Sequence, residues 1–369
     1  MAGGPVPLFR TFMPAGIDLT PVLFSGYLVA GAQVSAFERG VADFIGAPNV
    51  AATASSSAAM TLALHLAGVR PGDEVAVSPL ACTATTMPIA NLGARPLWCD
   101  VDPATGMIDP ADVERRLTPR TKAIIAYHWA GDVGEVERLC AIAHRHGIAC
   151  IEEASEAFGA EVGGRRVGGG TADFTVFSFH AVKHITTGEG GALVCADPRT
   201  HGRAVCLRRF GLDNASFRLP NGDLNPKSDV VEPGWNFYMT NIAAAIGLAG
   251  LPEADRLLAR HRDNGAFYEA RLAGVPGVTL LKRRPDARSA FWTYTLLAED
   301  TDRLVARLVE AGIGCQRLHV RNDAYSCFGG PVDLPGVASF APRTLSLPCG
   351  WWVDEGDRER IAALIRSGW

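Results

Sequence analysis

Short apolar runs recur along the first two thirds of the chain, with helix-like stretches between them, and this alternation restricts the fold more than any other feature. The runs are Glu74–Ser78, Arg95–Cys99, Lys122–Tyr127, Ile148–Glu152, Phe174–Ser178 and Gly191–Cys195. Amphipathic stretches such as Val34–Ile45, Met60–Ala67 and Val133–His146 lie between them. Runs that are apolar throughout, rather than on alternate residues, read as strands covered on both faces. The pattern therefore implies an α/β fold with a buried, mostly parallel sheet between helices. Ligands of such sheets collect beyond the carboxyl ends of the strands, so chemistry is sought in those turns.

The alternation stops at a Gly-, Pro- and Asn-rich stretch from Gly211 to Gly234, long enough to be a functional loop. A helical pattern then runs, with breaks, from near Thr240 through Arg271. It is followed by strand candidates near Val278–Leu281 and Phe291–Leu297, a helix over Asp302–Glu310 and a terminal helix near Asp357–Ile365. These elements read as a smaller α+β lobe. Residues 1–250 would form an N-terminal segment and large domain, and residues 251–369 the small domain. A length of 369 residues suits two such units.

Charge and cysteine usage exclude several classes of partner. The formal net charge is −4 with no run of like charges, so neither nucleic acid nor an anionic membrane is expected as a partner. The start, Met-Ala-Gly-Gly-Pro-Val-Pro, lacks the basic and apolar regions of a secretory signal. Apolar stretches such as Ile242–Leu251 are too short to span a bilayer, so a cytoplasmic location is expected. The nine cysteines include no C-x-x-C pair, and no metal site is expected; most read as small buried hydrophobes in a reducing compartment.

The most informative stretch is Phe177-Ser-Phe-His-Ala-Val-Lys183-His-Ile-Thr-Thr-Gly-Glu-Gly-Gly191. It sets a lysine just past a buried strand and before a Gly-rich turn. A lysine held against apolar walls loses its charge more readily than one in water, and a neutral amine can form a Schiff base with a carbonyl. Ser178, at the strand end, could donate to an anion. The stretch Thr53-Ala-Ser-Ser-Ser57-Ala-Ala feeds an apolar helix, and its free N–H groups and hydroxyls suit either ordinary capping or a phosphate. In Ile151-Glu-Glu153-Ala-Ser-Glu156, carboxylates appear as a strand runs out; neighbours in a strand point to opposite faces, so Glu152 and Glu153 cannot share a pocket. Glu153 is either a solvated strand end or the partner of an aromatic nitrogen that it keeps protonated.

Taken in order, several motifs together resemble the DegT/DnrJ/EryC1/StrS family. They are Ser-Ser-Ser-Ala-Ala, Gly72-Asp-Glu-Val, Gly93-Ala-Arg-Pro-Leu-Trp-Cys-Asp-Val-Asp, Ile151-Glu-Glu-Ala, Phe177-Ser-Phe-His-Ala-Val-Lys183, Gly188-Glu-Gly-Gly and Asn236-Phe-Tyr-Met-Thr-Asn. Its members are sugar aminotransferases that use pyridoxal 5′-phosphate (PLP), with the aspartate-aminotransferase-like fold type I. The resemblance implies a large domain with a seven-stranded sheet and a homodimer with shared active sites. By the same resemblance, Lys183 holds PLP as a Schiff base and moves a proton; Ser57, Ala58 and Ser178 hold its phosphate; and Asn236 reaches the phosphate from the second subunit.

Three positions depart from the family pattern. Glu153 stands where aspartate usually pairs with the pyridine nitrogen. Glu156 stands where Gln or His usually lies beside the cofactor's 3′ oxygen, so it must be protonated, turned away or paired with a cation. Cys82 replaces the aromatic residue that stacks on the ring. Near the C-terminal end, Arg317-Leu-His319-Val-Arg321-Asn322 occupies the place of a sugar-facing His-Tyr pattern. His319, Arg321 and Asn322 are therefore candidate substrate residues, although both arginines also read as exposed lobe charges. His180, beside the lysine, either binds substrate or packs.

The expected activity is transfer of an amino group from an amino acid, glutamate or glutamine, to a keto-sugar, nucleotide-sugar or related cyclic ketone. Elimination, decarboxylation or oxidation on the same cofactor is the alternative, and a non-catalytic PLP-binding regulator is a third reading. A nicotinamide oxidoreductase is disfavoured because no G-x-G-x-x-G opens a helix after an early strand.

Overall fold

The computed structural model describes residues 4–213 and 215–369; the first three residues of the start and Asn214 of the Gly-rich loop lie outside the described residues. Seven strands form the central sheet: β1 (Val50–Thr53), β2 (Glu74–Val77), β3 (Arg95–Trp98), β4 (Thr121–Tyr127), β5 (Ala149–Glu153), β6 (Phe174–Ser178) and β7 (Gly191–Cys195). Their spatial order is β1-β7-β6-β5-β4-β2-β3. Strand β7 runs antiparallel to both neighbours, and every other pairing in the sheet is parallel. Strands β1, β2, β6 and β7 are buried along their whole length, and the last three read as apolar runs for that reason.

Six of the seven strands coincide with the runs seen in the sequence. The missed one, β1, reads Val-Ala-Ala-Thr, and two alanines in four residues carry no strand preference of their own. It forms because pairing with β7, from Val50↔Val194 to Thr53↔Gly191, supplies the backbone partners.

Helices cover both faces. Ser56–Leu66 begins four residues before the expected Met60, because the Ser55 side chain caps it by accepting the Ala58 N–H at 3.1 Å. The helix then buries every residue from Ala58 to Leu64. Val136–Arg145 buries Val136, Leu139, Cys140, Ile142 and Ala143, the one-sided stripe of an amphipathic helix. The long helical pattern after Thr240 resolves into two helices, Asn241–Gly250 and Ala254–Leu272, separated by a short turn at Leu251–Glu253.

A second sheet of three antiparallel strands, β8 (Val278–Leu280), β9 (Tyr294–Ala298) and β10 (Thr344–Leu347), lies among helices Ala254–Leu272, Thr301–Glu310 and Glu355–Arg366. Its own apolar cluster centres on Tyr268, Tyr294, Leu296, Leu308 and Ile361. Val6 joins that cluster, and its backbone exchanges hydrogen bonds with Gly312 (2.9 Å) and Gly314 (2.8 Å). Strand β9 starts three residues after the expected Phe291. Phe291 instead takes φ +44°, and this bend turns Trp292 towards the carboxyl ends of the central sheet. Gly131, at φ +97°, allows it: a Cβ there would lie 2.8 Å from the backbone nitrogens of both Phe291 and Trp292. Among the described residues no helix is long and apolar enough to cross a membrane.

Gly191 opens β7 directly against the start of helix Ser56–Leu66. An added Cβ would lie 2.5 Å from the Ser55 carbonyl carbon and 2.6 Å from the Ser56 nitrogen, backbone atoms that cannot swing aside. Gly191→Ala is therefore expected to destabilise the protein by about 1–3 kcal/mol, measured by urea unfolding.

Candidate active site

A cavity of about 450 Å³ opens at the carboxyl ends of β4, β5 and β6. It brings together Ser57, Cys82, Glu153, Glu156, Ser178, His180, Lys183 and His319, eight of the residues singled out in the sequence. A larger cavity of about 580 Å³, between Val101–Pro110 and Lys282–Ser289, contains none of them.

Lys183 sits in a turn pinned from several sides. Its N–H donates to His180 O at 2.9 Å, while Phe179 O accepts from the Thr187 N–H at 2.9 Å and the Thr186 hydroxyl at 3.1 Å. The side chain is largely buried, with Nζ 3.8 Å from Glu156 Oε1 and 3.6 Å from the centre of the Trp292 ring. Trp292 is held in turn by its indole N–H, which donates to Val182 O at 2.8 Å, and by stacking on Phe9 with centroids 4.8 Å apart. The amine thus faces an aromatic wall on one side and a carboxylate on another.

The two adjacent glutamates of β5 point to opposite faces of the sheet. Glu152 accepts from Thr175 Oγ1 at 2.8 Å and meets His128 Nε2 at 3.1 Å, a buried polar group behind the site. Glu153 points into the cavity. Its Oε1 accepts from Ser155 Oγ, but its Oε2 is buried with no hydrogen-bond partner. Burial pushes its carboxyl up to about 7; the Ser155 hydroxyl opposes this, the neighbouring Glu156 charge adds to it, and Lys183 also opposes it.

Glu156 has the opposite environment. Its Oε2 accepts the Ala130 N–H at 2.8 Å, and its Oε1 accepts from His319 Nε2 at 2.8 Å. Burial acts to raise its carboxyl, but the charges of Lys183 and His319 and the hydrogen bond from His319 outweigh it and hold the group below the usual carboxylate range. Of the three arrangements left open by the sequence, the structure shows the one in which Glu156 is paired with a cation.

At the opposite wall, Ser55, Ser56 and Ser57 present the first turn of helix Ser56–Leu66. The Ala58 N–H is taken by Ser55 Oγ, so the unpaired donors of that turn lie one step earlier than expected, towards Ser56 and Ser57. Ser178 is buried beside them, its Oγ accepting the His180 N–H at 3.3 Å. Cys82, just before helix Thr83–Asn91, lines the cavity with its thiol pushed up by burial.

Three candidates lie outside the cavity of their own chain. Asn236 is exposed and bridges in backbone to Arg209. Arg321 donates to Asp323 (2.6 Å) and to Val332 O (2.8 Å), so its charge is already occupied. Asn322 is buried and donates to Ala81 O at 2.6 Å. His180 lies half-exposed at the rim, 3.8 Å from Glu189. His184 points away to Ala290 O, and burial drives it well below the ordinary histidine range. Sequence reasoning missed Tyr127, Ser155 and Trp292, all cavity-lining. Tyr127 ends an apolar run and Ser155 lies between Glu153 and Glu156, so both were within reach; Trp292 was not, because it arrives from just before β9 of the second sheet.

The geometry groups an amine, an unsatisfied buried acid and a helix start with free N–H donors, a set that suits a phosphorylated aromatic aldehyde. The model of the DegT/DnrJ/EryC1/StrS aminotransferase family matches residues 17–366. The chain belongs to this family. It is 31% identical over 362 residues, 95% of this chain and 93% of the relative, to the spore coat polysaccharide biosynthesis protein SpsC of Bacillus subtilis (strain 168). The structure of the sugar aminotransferase CalS13 from Micromonospora echinospora superposes with a TM-score of 0.93 at 37% identity, over 99% of this chain and all of that one. The PLP form of Spr1654 from Streptococcus pneumoniae gives a TM-score of 0.90 at 25% identity, over 98% of each chain. The expected fold type is thus the observed one.

Because the Glu153 carboxyl is raised from 4.5 to about 7, the folded cofactor-free protein binds more protons than the unfolded chain between those values. Its stability therefore falls as pH rises through this window. Glu153→Gln removes that dependence and is expected to gain up to roughly 3 kcal/mol over wild type above pH ~7, with little difference below pH ~4.5. Urea unfolding at the two pH extremes checks it.

Proposed function

We propose that this chain is a PLP-dependent aminotransferase that moves an amino group from an amino acid, glutamate or glutamine, to a keto-sugar, nucleotide-sugar or related cyclic ketone. The observation that carries the reading is the buried, unpartnered Glu153 Oε2 in the same cavity as Lys183. A pyridinium N–H is the donor that this oxygen lacks, so the residues present fit the cofactor. When bound, PLP supplies an aldehyde and an electron-accepting ring.

Each residue then has a bounded task. With PLP bound, Lys183 would hold its aldehyde and would be the base that moves a proton on and off carbon. Glu153 keeps the ring nitrogen protonated; one methylene longer than aspartate, it reaches from the end of β5. Ser56, Ser57 and Ser178 hold the phosphate through N–H and O–H donors, with no arginine or lysine required. Ala58 contributes by keeping the turn small. Cys82 offers the ring only a thiol, so stacking is weaker than with an aromatic residue.

A homodimer with shared sites is part of this proposal. Asn236 is exposed and outside its own cavity, as a residue serving a partner's phosphate should be. Phe24, Tyr27, Val29 and Val231 are exposed apolar side chains that a second copy would cover. The division into residues 1–250 and 251–369 is supported by the separate sheet and apolar cluster of the second lobe. A cytoplasmic location is supported by the nine free cysteines.

The purified protein is expected to be yellow, and borohydride should abolish the visible band and fix the cofactor on the peptide containing Lys183. Incubation with glutamate or glutamine should then bleach the band of unreduced protein. Bleaching by no amino acid donor would overturn the transaminase assignment. For the shared site, Lys183→Ala mixed with Asn236→Ala should recover part of the activity that each lacks alone, and no recovery would exclude the role given to Asn236.

A further inference from the structure

Glu156 is the most heavily engaged group in the cavity, yet the reading above gives it no task. It is 2% exposed and approached from four separate elements. The turn after β4 gives it the Ala130 N–H at 2.8 Å, and the end of β4 places the Tyr127 hydroxyl nearby. The turn after β6 brings Lys183 Nζ to 3.8 Å, and the second lobe brings His319 Nε2 to 2.8 Å. Glu153 and Cys82 face it at longer range. Lys183 in its turn faces Glu156 and the Trp292 ring, with Glu153, Cys82 and His184 farther off.

His319 is fixed as firmly as its partner. Its ring lies among three aromatic side chains, with centroids 6.2 Å from Tyr127, 6.0 Å from Trp129 and 6.4 Å from Trp292, the last nearly parallel at 9°. Boxed in this way, it donates Nε2–H to the Glu156 carboxylate. This candidate substrate residue lines the cavity and holds a carboxylate in place.

Resting on the PLP assignment above, we propose that Glu156 is a positioning anion: clamped by His319 and the Ala130 N–H, it holds Lys183 in place and stabilises positive charge on its nitrogen. The nitrogen needs that support in both of its states. One state is the ammonium, which faces Glu156 Oε1 at 3.8 Å. When it condenses with the aldehyde, the C=N bond forms, one water leaves, and the nitrogen stays positive only if it retains a proton. The low accessibility of both partners, 11% for Lys183 and 3% for Glu156, means little water screens the attraction. The attraction between Lys183 and Glu156 that favours the ionised carboxylate acts equally on the lysine nitrogen.

The test is a pH titration of the visible band of PLP joined to Lys183 in wild type, Glu156→Gln, Glu156→Asp and His319→Gln. The midpoint between the protonated and neutral forms should fall by about one pH unit or more in Glu156→Gln, the size expected for losing an opposite charge at this distance. It should fall by less in His319→Gln, and Glu156→Asp should recover part of the loss. An unchanged midpoint in Glu156→Gln overturns the proposal; if that variant does not fold, an unchanged midpoint in His319→Gln does so. Should wild type form no visible band, the PLP assignment has failed, and the proposal is decided on cofactor-free protein. There, an amine-reactive ester at neutral pH should label Lys183, resolved by peptide mass spectrometry, about tenfold faster in Glu156→Gln than in wild type. Equal labelling overturns it.

Discussion

Two carboxylates and one amine share a cavity that admits little water, and the cost of taking those charges out of solvent organises everything around them. If both acids were ionised, the trio would carry an uncompensated negative charge in a poor dielectric. The structure resolves this by treating the acids unequally. Glu156 receives a backbone N–H, a histidine and the lysine, and stays an anion. Glu153 receives one serine hydroxyl and is left with a bare oxygen. Two glutamates three residues apart thus differ in character: one is electrostatically complete, and the other awaits a donor.

The sheet makes that inequality possible. Parallel strands β4, β5 and β6 end side by side, with Tyr127 and Glu153 in register and Ser178 two residues beyond Glu153's partner Val176, and the turns beyond them supply Ala130, Glu156 and Lys183. Glu152, one residue from Glu153, is sent to the other face, where His128 and Thr175 satisfy it. The second lobe adds Trp292 and His319, which close the cavity on the side the sheet leaves open. Neither lobe contains a complete site by itself.

Much of this was legible in the chain because buried parallel strands have a plain signature and because the lysine, the serines and the glutamates sit at strand ends or helix starts. Which serine caps the helix was open in the sequence, since Ser55, Ser56 and Ser57 are chemically alike and only the geometry shows that Ser55 takes the Ala58 N–H. Strand β1 escaped because four small residues become a strand only through their partner. Trp292 could not be foreseen, because it reaches the lysine through a bend that depends on Gly131, far away in sequence. The occupied charge of Arg321 and the clamped ring of His319 are equally matters of tertiary contact, set by Asp323 and by Glu156.

The attachment of the first described residues to the last third of the chain bears on how the protein is made. Val6 is bound to Gly312 and Gly314, and Phe9 lies on Trp292. During ribosomal synthesis Val6 and Phe9 emerge well before Trp292, Gly312 and Gly314, and find their seat only after those residues have followed. Contacts of such sequence separation close slowly. Until then the aromatic wall over the lysine stays unbraced, so the cavity acquires its final shape only after Trp292 has met Phe9.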